Sequence, residues 1–421
     1  METGASLNRV VVTGLGAITP LGLTFDKSWE ALLAGVCGIR RVTKVREELF
    51  PCKVAGEVID FDAAAYLGAK EIRRNDSFTH FAVAAAKMAL EDAQLDIGRC
   101  NPYRIGVIIG SGIGGLQTIE TQARILFTEG PRRSSPFMIP ALIADIAGGV
   151  TAIEVGAKGP NFAAVSACCT GTHSIGEAYH FLRLGKADAM LAGGAEGGVN
   201  VFSFSGFCAM KAMGTAFNGE PARASRPFDA RRDGFIMGEG AGVLVLETME
   251  HALARGATIY CELAGYSANC DAYHITAPKL EGENLATAIG QALAEAGLAK
   301  ESVDYINAHG TSTPYNDLCE TNAYKLFFGE EGAKKLTISS TKGATGHMLG
   351  AAGGFESAIC AKVIQTGRIP PTINYEYPDP ACDLNYTPNK AVSGKVRVAI
   401  NDNLGFGGHN AVLIFKEFAP Q

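Results

Sequence analysis

Cys168 stands in Ser166-Ala167-Cys168-Cys169-Thr170-Gly171, where a short apolar segment, 161–167, gives way to a helical pattern. Ile175, Ala178, Tyr179 and Leu182 then recur at three- and four-residue spacing, and Gly185 closes the run. A cysteine at such a turn meets free backbone N–H groups and the positive end of the helix dipole. Both lower a thiol's pKa and offer donors to an oxyanion, which suits acyl transfer to sulfur. Cys169, about 100° further round the helix, faces away, so one thiol of the pair serves the site.

Two histidines follow apolar strands much later in the chain. His309 lies in Asn307-Ala308-His309-Gly310-Thr311-Ser312-Thr313, and His347 in Thr345-Gly346-His347-Met348-Leu349-Gly350. In doubly wound architectures ligands bind off strand ends, so both imidazoles are expected at a site. Two imidazole N–H donors would stabilise the enolate formed when a malonyl thioester loses CO2. Lys342 brings charge to the same region, and Glu356, on the following helix, is expected as a buried counter-ion for His347.

The elements that must position these groups alternate along the whole chain. Its 421 residues, 47% hydrophobic and 19% charged, suffice for one large core or two fused domains. Strand patterns at 10–12, 104–109, 161–166, 187–192 and 242–247 are interleaved with helical ones, which predicts an α/β fold. A second series returns at 261–266, 303–307, 336–340, 396–401 and 411–416. An amphipathic helix over 81–90 leads into the strand and glycine-rich elbow of 104–112, and a helix over 285–296 leads into 304–312 in the same way. The repeat predicts two similar halves, 1–260 with Cys168 and 261–421 with His309, Lys342 and His347, with the site between them. Residues 193–240 carry less regular pattern and are expected as an inserted cap.

Composition narrows the partners. A net charge of -6 provides no global basic field for nucleic acid. No apolar run reaches the roughly 18 residues a membrane span needs, and Met1-Glu2-Thr3-Gly4 lacks a secretory pattern, so a cytoplasmic protein is expected. Eleven cysteines without CxxC spacing suit reduced thiols rather than a disulfide framework or zinc site. The Gly110-Ser111-Gly112-Ile113-Gly114-Gly115 loop lacks the Lys-Ser/Thr of a phosphate loop, and His173, Glu177 and His180 lack zinc spacing.

Four co-ordered motifs carry a resemblance: Ser-Ala-Cys at Cys168, the 307–313 segment, Thr341-Lys342 with Thr345-Gly346-His347, and Gly405-Phe406-Gly407-Gly408. Together they resemble the elongating β-ketoacyl-acyl-carrier-protein synthases of the synthase II type, from about Arg9 to Phe415. The resemblance implies a thiolase-like fold, two similar α/β halves in a layered αβαβα sandwich, and a homodimer without cofactor or metal. It implies an acyltransferase that joins a Cys-bound acyl chain to malonyl-carrier by decarboxylative Claisen condensation, as in fatty-acid elongation.

By motif, Cys168 would take the acyl chain, His309 and His347 would promote decarboxylation, and Lys342 would support the site. The N–H groups of Cys168 and Phe406 would form the oxyanion hole, with Phe406 also gating access. Thr311 and Thr313 resemble pantetheine-binding threonines, Ile113 and Phe207 resemble acyl-pocket residues, and Glu356 is grouped with this substrate site. Lys70, Arg73, Arg74 and Lys211 resemble the positive patch that receives the acyl- or malonyl-loaded carrier protein. Leu404, His409 and Cys169 depart from the commoner residues of the family. Alternatives within the resemblance are a ketosynthase of a type II polyketide or aryl-polyene pathway, or a silent chain-length partner subunit, which would lack the cysteine. A degradative thiolase would need a second cysteine in a glycine-rich motif, and Cys382-Asp383-Leu384-Asn385 is not one.

Overall fold

The structure, a computed structural model, describes residues 7–420, so the pattern read at Met1 to Gly4 lies outside the described residues. Its main sheet has ten strands: β1 (Val10–Ile18), β2 (Ile105–Gly110), β3 (Asn161–Phe162), β4 (Ala189–Glu196), β5 (Gly240–Thr248), β6 (Cys261–Cys270), β7 (Tyr305–Asn307), β8 (Thr337–Ser339), β9 (Val398–Gly405) and β10 (His409–Lys416). From the junction where β1 runs antiparallel to β6, with Val10 opposite Leu263, the first half proceeds β1-β5-β4-β2-β3. The second proceeds β6-β10-β9-β7-β8, the same order five strands on. Directions repeat too: β2–β4 and β7–β9 are parallel, whereas β4–β5 and β9–β10 are antiparallel.

Helices on either side of the sheet include α1 (Ser77–Ala93), α2 (Thr170–Arg183), α3 (Glu283–Ala296), α4 (Pro314–Phe328) and α5 (Ala352–Thr366). Strand side chains alternate between faces, and here each face meets a different core. Val243 and Val245 of β5 turn outward to Phe81, Ala85 and Ala89 of α1, while Leu244 and Leu246 turn inward to α2 and α5. In the second half Val412 and Ile414 meet Leu285, Ile289 and Leu293 of α3, and Leu413 and Phe415 point to the same central helices. The result is a thiolase-like αβαβα sandwich. Strands buried on both faces read as continuous apolar runs, which is why most of them stand out in the sequence.

The two central helices meet at glycine. A Cβ on Gly171 of α2 would lie 2.6 Å from the Gly354 nitrogen of α5, so only glycine allows this approach. That contact brings the start of α2, with Cys168 just before it, against the second half.

Two expectations need correction. The predicted buried strand at 161–166 is only the two-residue β3, with Phe162 39% and Val165 55% exposed. It ends the sheet and pairs with β2 alone, so one edge has no neighbour to bury it. The inserted cap starts later than predicted, because 193–196 complete β4. Among the described residues no helix is long and apolar enough to cross a membrane.

Candidate active site

Cys168 lies in a single 3-10 turn, Ala167–Cys169, that runs directly into α2. Ala167 adopts φ +52, a left-handed conformation uncommon for a residue with a side chain. Strain of this kind persists only where the surroundings hold it, and here it turns the next side chain into the site. The Cys168 sulfur meets the backbone N–H groups of Phe406 and of Cys168 itself. Phe406 sits in the turn joining β9 to β10, where Gly407 and Gly408 take φ of +97 and +78. Cys169 is buried on the other side, its sulfur 3.0 Å from the Asn403 carbonyl.

The helix start does not give the resting cysteine a low pKa. Burial pushes the Cys168 thiol up to about 12, and Lys342 and the two N–H groups only partly oppose it. Sulfur therefore rests as a thiol, and its proton must leave as it attacks.

His309 follows β7, and His347 follows β8 through the short helix Lys342–Thr345. The cysteine sulfur and one nitrogen of each imidazole lie within 4.8 Å of one another, and the two rings stand edge to face at 5.2 Å. Burial, then the Lys342 charge, holds both histidines well below the usual imidazole range, so both are neutral. Cys-His-His is also a donor set that a soft divalent ion accepts, although the nearby Lys342 opposes a cation.

The tautomer of His309 follows from its neighbours. Glu356 Oε2 can only accept, so the Asn403 nitrogen at 2.8 Å is a donor. The same Asn403 nitrogen lies 3.0 Å from His309 Nδ1, which must accept, leaving the proton on Nε2. His309 thus presents an N–H donor by its Nε2. His347 Nδ1 is buried and has no hydrogen-bond partner among the described residues.

Lys342 and Glu356 form an ion pair buried on both sides. This corrects the expected Glu356–His347 pairing: a full lysine charge competes better for a buried carboxylate than an imidazole kept neutral by burial. Glu356 is also absent from the walls of the cavity, so it supports the site from behind and is no substrate contact.

A cavity of about 350 Å³ opens onto the three side chains. Thr311 and Thr313, their hydroxyls 2.8 Å apart, line it with Phe207, Lys211, Leu404, Phe406 and His409. Phe207 is wedged between Phe235 and Phe406, at 5.2 and 6.2 Å. Ile113, in the loop after β2, is 37% exposed and lies outside the lining of this cavity. Arg73 and Arg74 line a different concavity, with the Arg74 guanidinium 4.3 Å above Phe137. Lys70, next to them in sequence, is exposed, and Lys211 lines the main cavity.

Residues 7–252 match the family model for the beta-ketoacyl synthase N-terminal domain, and residues 260–376 that for its C-terminal domain. The chain belongs to the beta-ketoacyl synthase family. It is 50% identical to a 3-oxoacyl-[acyl-carrier-protein] synthase 2 from Synechocystis sp. over 97% of this chain and 98% of that one. A Staphylococcus aureus protein of the same name is equally similar over the same shares. Among solved structures, a type II polyketide synthase acyl-carrier protein in complex with its ketosynthase bound to the hexaketide superposes with a TM-score of 0.91 at 34% identity, covering 98% of this chain and 100% of that one. The ishigamide ketosynthase/chain length factor has the same TM-score and coverage at 35% identity. This member of the family is therefore a condensing acyltransferase.

Several groups around the synthase site escaped motif reading. Asn403 orients His309, and Asp402, its neighbour on β9, accepts from the His309 N–H at 3.0 Å. Their signal is Asn401-Asp402-Asn403, three polar residues inside a strand that is otherwise apolar, since buried polar groups persist where they bond. Glu196, at the end of β4, accepts from Ser111 Oγ at 2.6 Å, Gly112 N at 2.9 Å and Gly350 N at 3.0 Å. It ties the first-half loop to the segment after His347. Burial raises this carboxyl to about 6 against those donors.

Proposed function

We propose that Cys168 accepts an acyl chain from acyl-carrier protein and that His309 and His347 drive its condensation with malonyl-carrier, in fatty-acid elongation. The observation that carries this is the meeting, within 4.8 Å, of one sulfur and two neutral imidazoles beside two backbone N–H groups. In the first step sulfur attacks the acyl thioester, the Cys168 proton leaves with the departing pantetheine sulfur, and the tetrahedral oxyanion lies against the Cys168 and Phe406 N–H groups. Malonyl-carrier then loses CO2, and its thioester enolate receives hydrogen bonds from His309 Nε2–H and from His347. The carbanion attacks the acyl carbonyl on Cys168, the same N–H pair holds the second oxyanion, and the sulfur departs as a thiolate that takes up a proton from solvent as the β-ketoacyl-carrier forms. Lys342 steadies the charge changes. Phe207 contributes to the acyl wall, and Thr311 and Thr313 to pantetheine binding.

The 50% identity to two synthase 2 proteins favours fatty-acid duty over polyketide duty, for which the structural relatives are 34–35% identical. Lys211 at the cavity suits an acidic carrier protein. The Lys70, Arg73 and Arg74 group would add positive charge to the carrier-binding surface. A homodimer is supported by the bare sheet edge at β3, where Phe162 and Val165 are exposed and Ile153, on a helix packed against that strand, is 79% exposed.

Mass spectrometry of the intact protein after exposure to acyl-carriers of graded length tests the proposal. One acyl adduct is expected, mapping to Cys168 and lost in Cys168→Ala. An adduct retained on another cysteine would overturn it.

A further inference from the structure

Glu320 and Asp402 are both completely buried behind His309, and among the described residues neither forms an ion pair. Two of the backbone donors that shape the His309 loop end on them. Asp402 Oδ1 accepts from the His309 N–H at 3.0 Å, and Glu320 Oε2 accepts from the Gly310 N–H at 2.8 Å and from Asn316 Nδ2 at 2.6 Å. Between the other two carboxyl oxygens lies the phenol of Tyr324, 2.8 Å from Asp402 Oδ2 and 3.2 Å from Glu320 Oε1.

Counting protons across this bridge requires one carboxyl to keep its proton, and the two distances select which. A phenol has a single proton, and it goes to the nearer, ionised partner, Asp402. The contact with Glu320 Oε1 is then a hydrogen bond only if Glu320 carries a proton and donates it to the phenol oxygen. Left ionised, both carboxylates would sit in a dry site on either side of one donor, the situation in which like charges force one group to keep its proton.

We infer that Glu320 and Asp402 share one proton through Tyr324, and that the pair acts as positioning residues that aim His309. The inference rests on His309 working in decarboxylation as proposed above. The ionisable groups around the pair agree. Asp317 and Cys319 on α4 add negative character or none, Asp317 being already turned to Arg232 at 3.5 Å. Cys360 of α5 and Cys169 face Asp402 as buried thiols. Among the described residues Lys342 is the cation that acts on both carboxyls, and its ammonium is held by Glu356. Burial, then the neighbouring carboxylates, raises Glu320 well above the usual range, and burial also raises Asp402. The proton is therefore kept at neutral pH and lost as pH rises. Its loss would set two charges against each other beneath the His309 and Gly310 peptides.

Glu320→Gln mimics the protonated acid, because its amide can donate to Tyr324 while its oxygen still accepts from Gly310. Malonyl decarboxylation by E320Q should stay within about threefold of the parent at neutral pH, and its alkaline limb should move to higher pH. E320A should lose about tenfold or more in decarboxylation while still loading Cys168. Infrared spectra of the intact protein should contain a protonated-carboxyl band at neutral pH that E320Q lacks and that Y324F shifts without abolishing. A tenfold loss in E320Q, or a band unaffected by both variants, would overturn the inference. Should E320Q fail to fold, Y324F and the pH titration of the parent band decide it. Acyl loading separates the two proposals: a parent chain that takes no acyl group refutes the condensation proposal, while the infrared band still judges the shared proton.

Discussion

Asn403 Nδ2 donates to His309 Nδ1 across 3.0 Å while donating to Glu356 Oε2 at 2.8 Å, so one amide connects the imidazole to the buried Lys342–Glu356 pair. The link keeps the His309 proton on Nε2. Asn403→Asp replaces the donor by an acceptor that draws the proton to Nδ1 instead. Release of CO2 from malonyl-carrier should fall about tenfold to a hundredfold, with acyl loading of Cys168 less affected. Radiolabelled CO2 release and adduct mass measure the two steps separately, and equal losses in both would show that Asn403 has no special link to His309.

His309→Ala and His347→Ala remove one enolate donor each. Each variant should still load Cys168 but lose about a hundredfold or more in decarboxylation. Normal CO2 release from both would make the histidines structural.

Lys342→Ala would leave Glu356 charged, buried and unpaired, at a cost of about 3–5 kcal/mol in unfolding free energy. Lys342→Met with Glu356→Gln should recover part of that loss, because the remaining groups need no counter-charge. The same single substitution removes a charge that lowers both histidines, so their pKa values should rise while burial still keeps them low. Urea denaturation and histidine titration by NMR read the two effects, and a double variant no more stable than the single one would count against the pairing.

Glu247 supplies a pH dependence remote from the site. Burial alone would raise it, but Arg255, His251 and Thr13 hold it down at about 2. A carboxyl depressed in the folded state stabilises above its unfolded pKa, and that contribution disappears as pH falls through the folded value. About 3 kcal/mol should therefore be lost between roughly pH 5 and pH 2. Glu247→Gln should flatten this part of the stability curve, and an acid limb of unchanged steepness would refute the assignment.

Strand segments buried on both faces, and helices with an apolar stripe, were legible because period and composition are local properties. So was the repetition of one half in the other, since 104–112 and 304–312 carry the same helix, strand and elbow. Cys168, His309 and His347 were legible as motif residues at element ends, where backbone geometry alone makes a site. The short β3 was not, because an edge strand lacks one neighbour and only the sheet order says which strand that is.

The chemistry of the site was decided by packing. Gly171 against Gly354 lets α2 and α5 touch, and this contact brings residues more than a hundred positions apart within bonding distance. Burial then reversed the expectation for the Cys168 thiol and gave Glu356 to Lys342 instead of His347. Sequence specified which groups could react; desolvation and long-range hydrogen bonds, which exist only once the halves close, set their protons and partners.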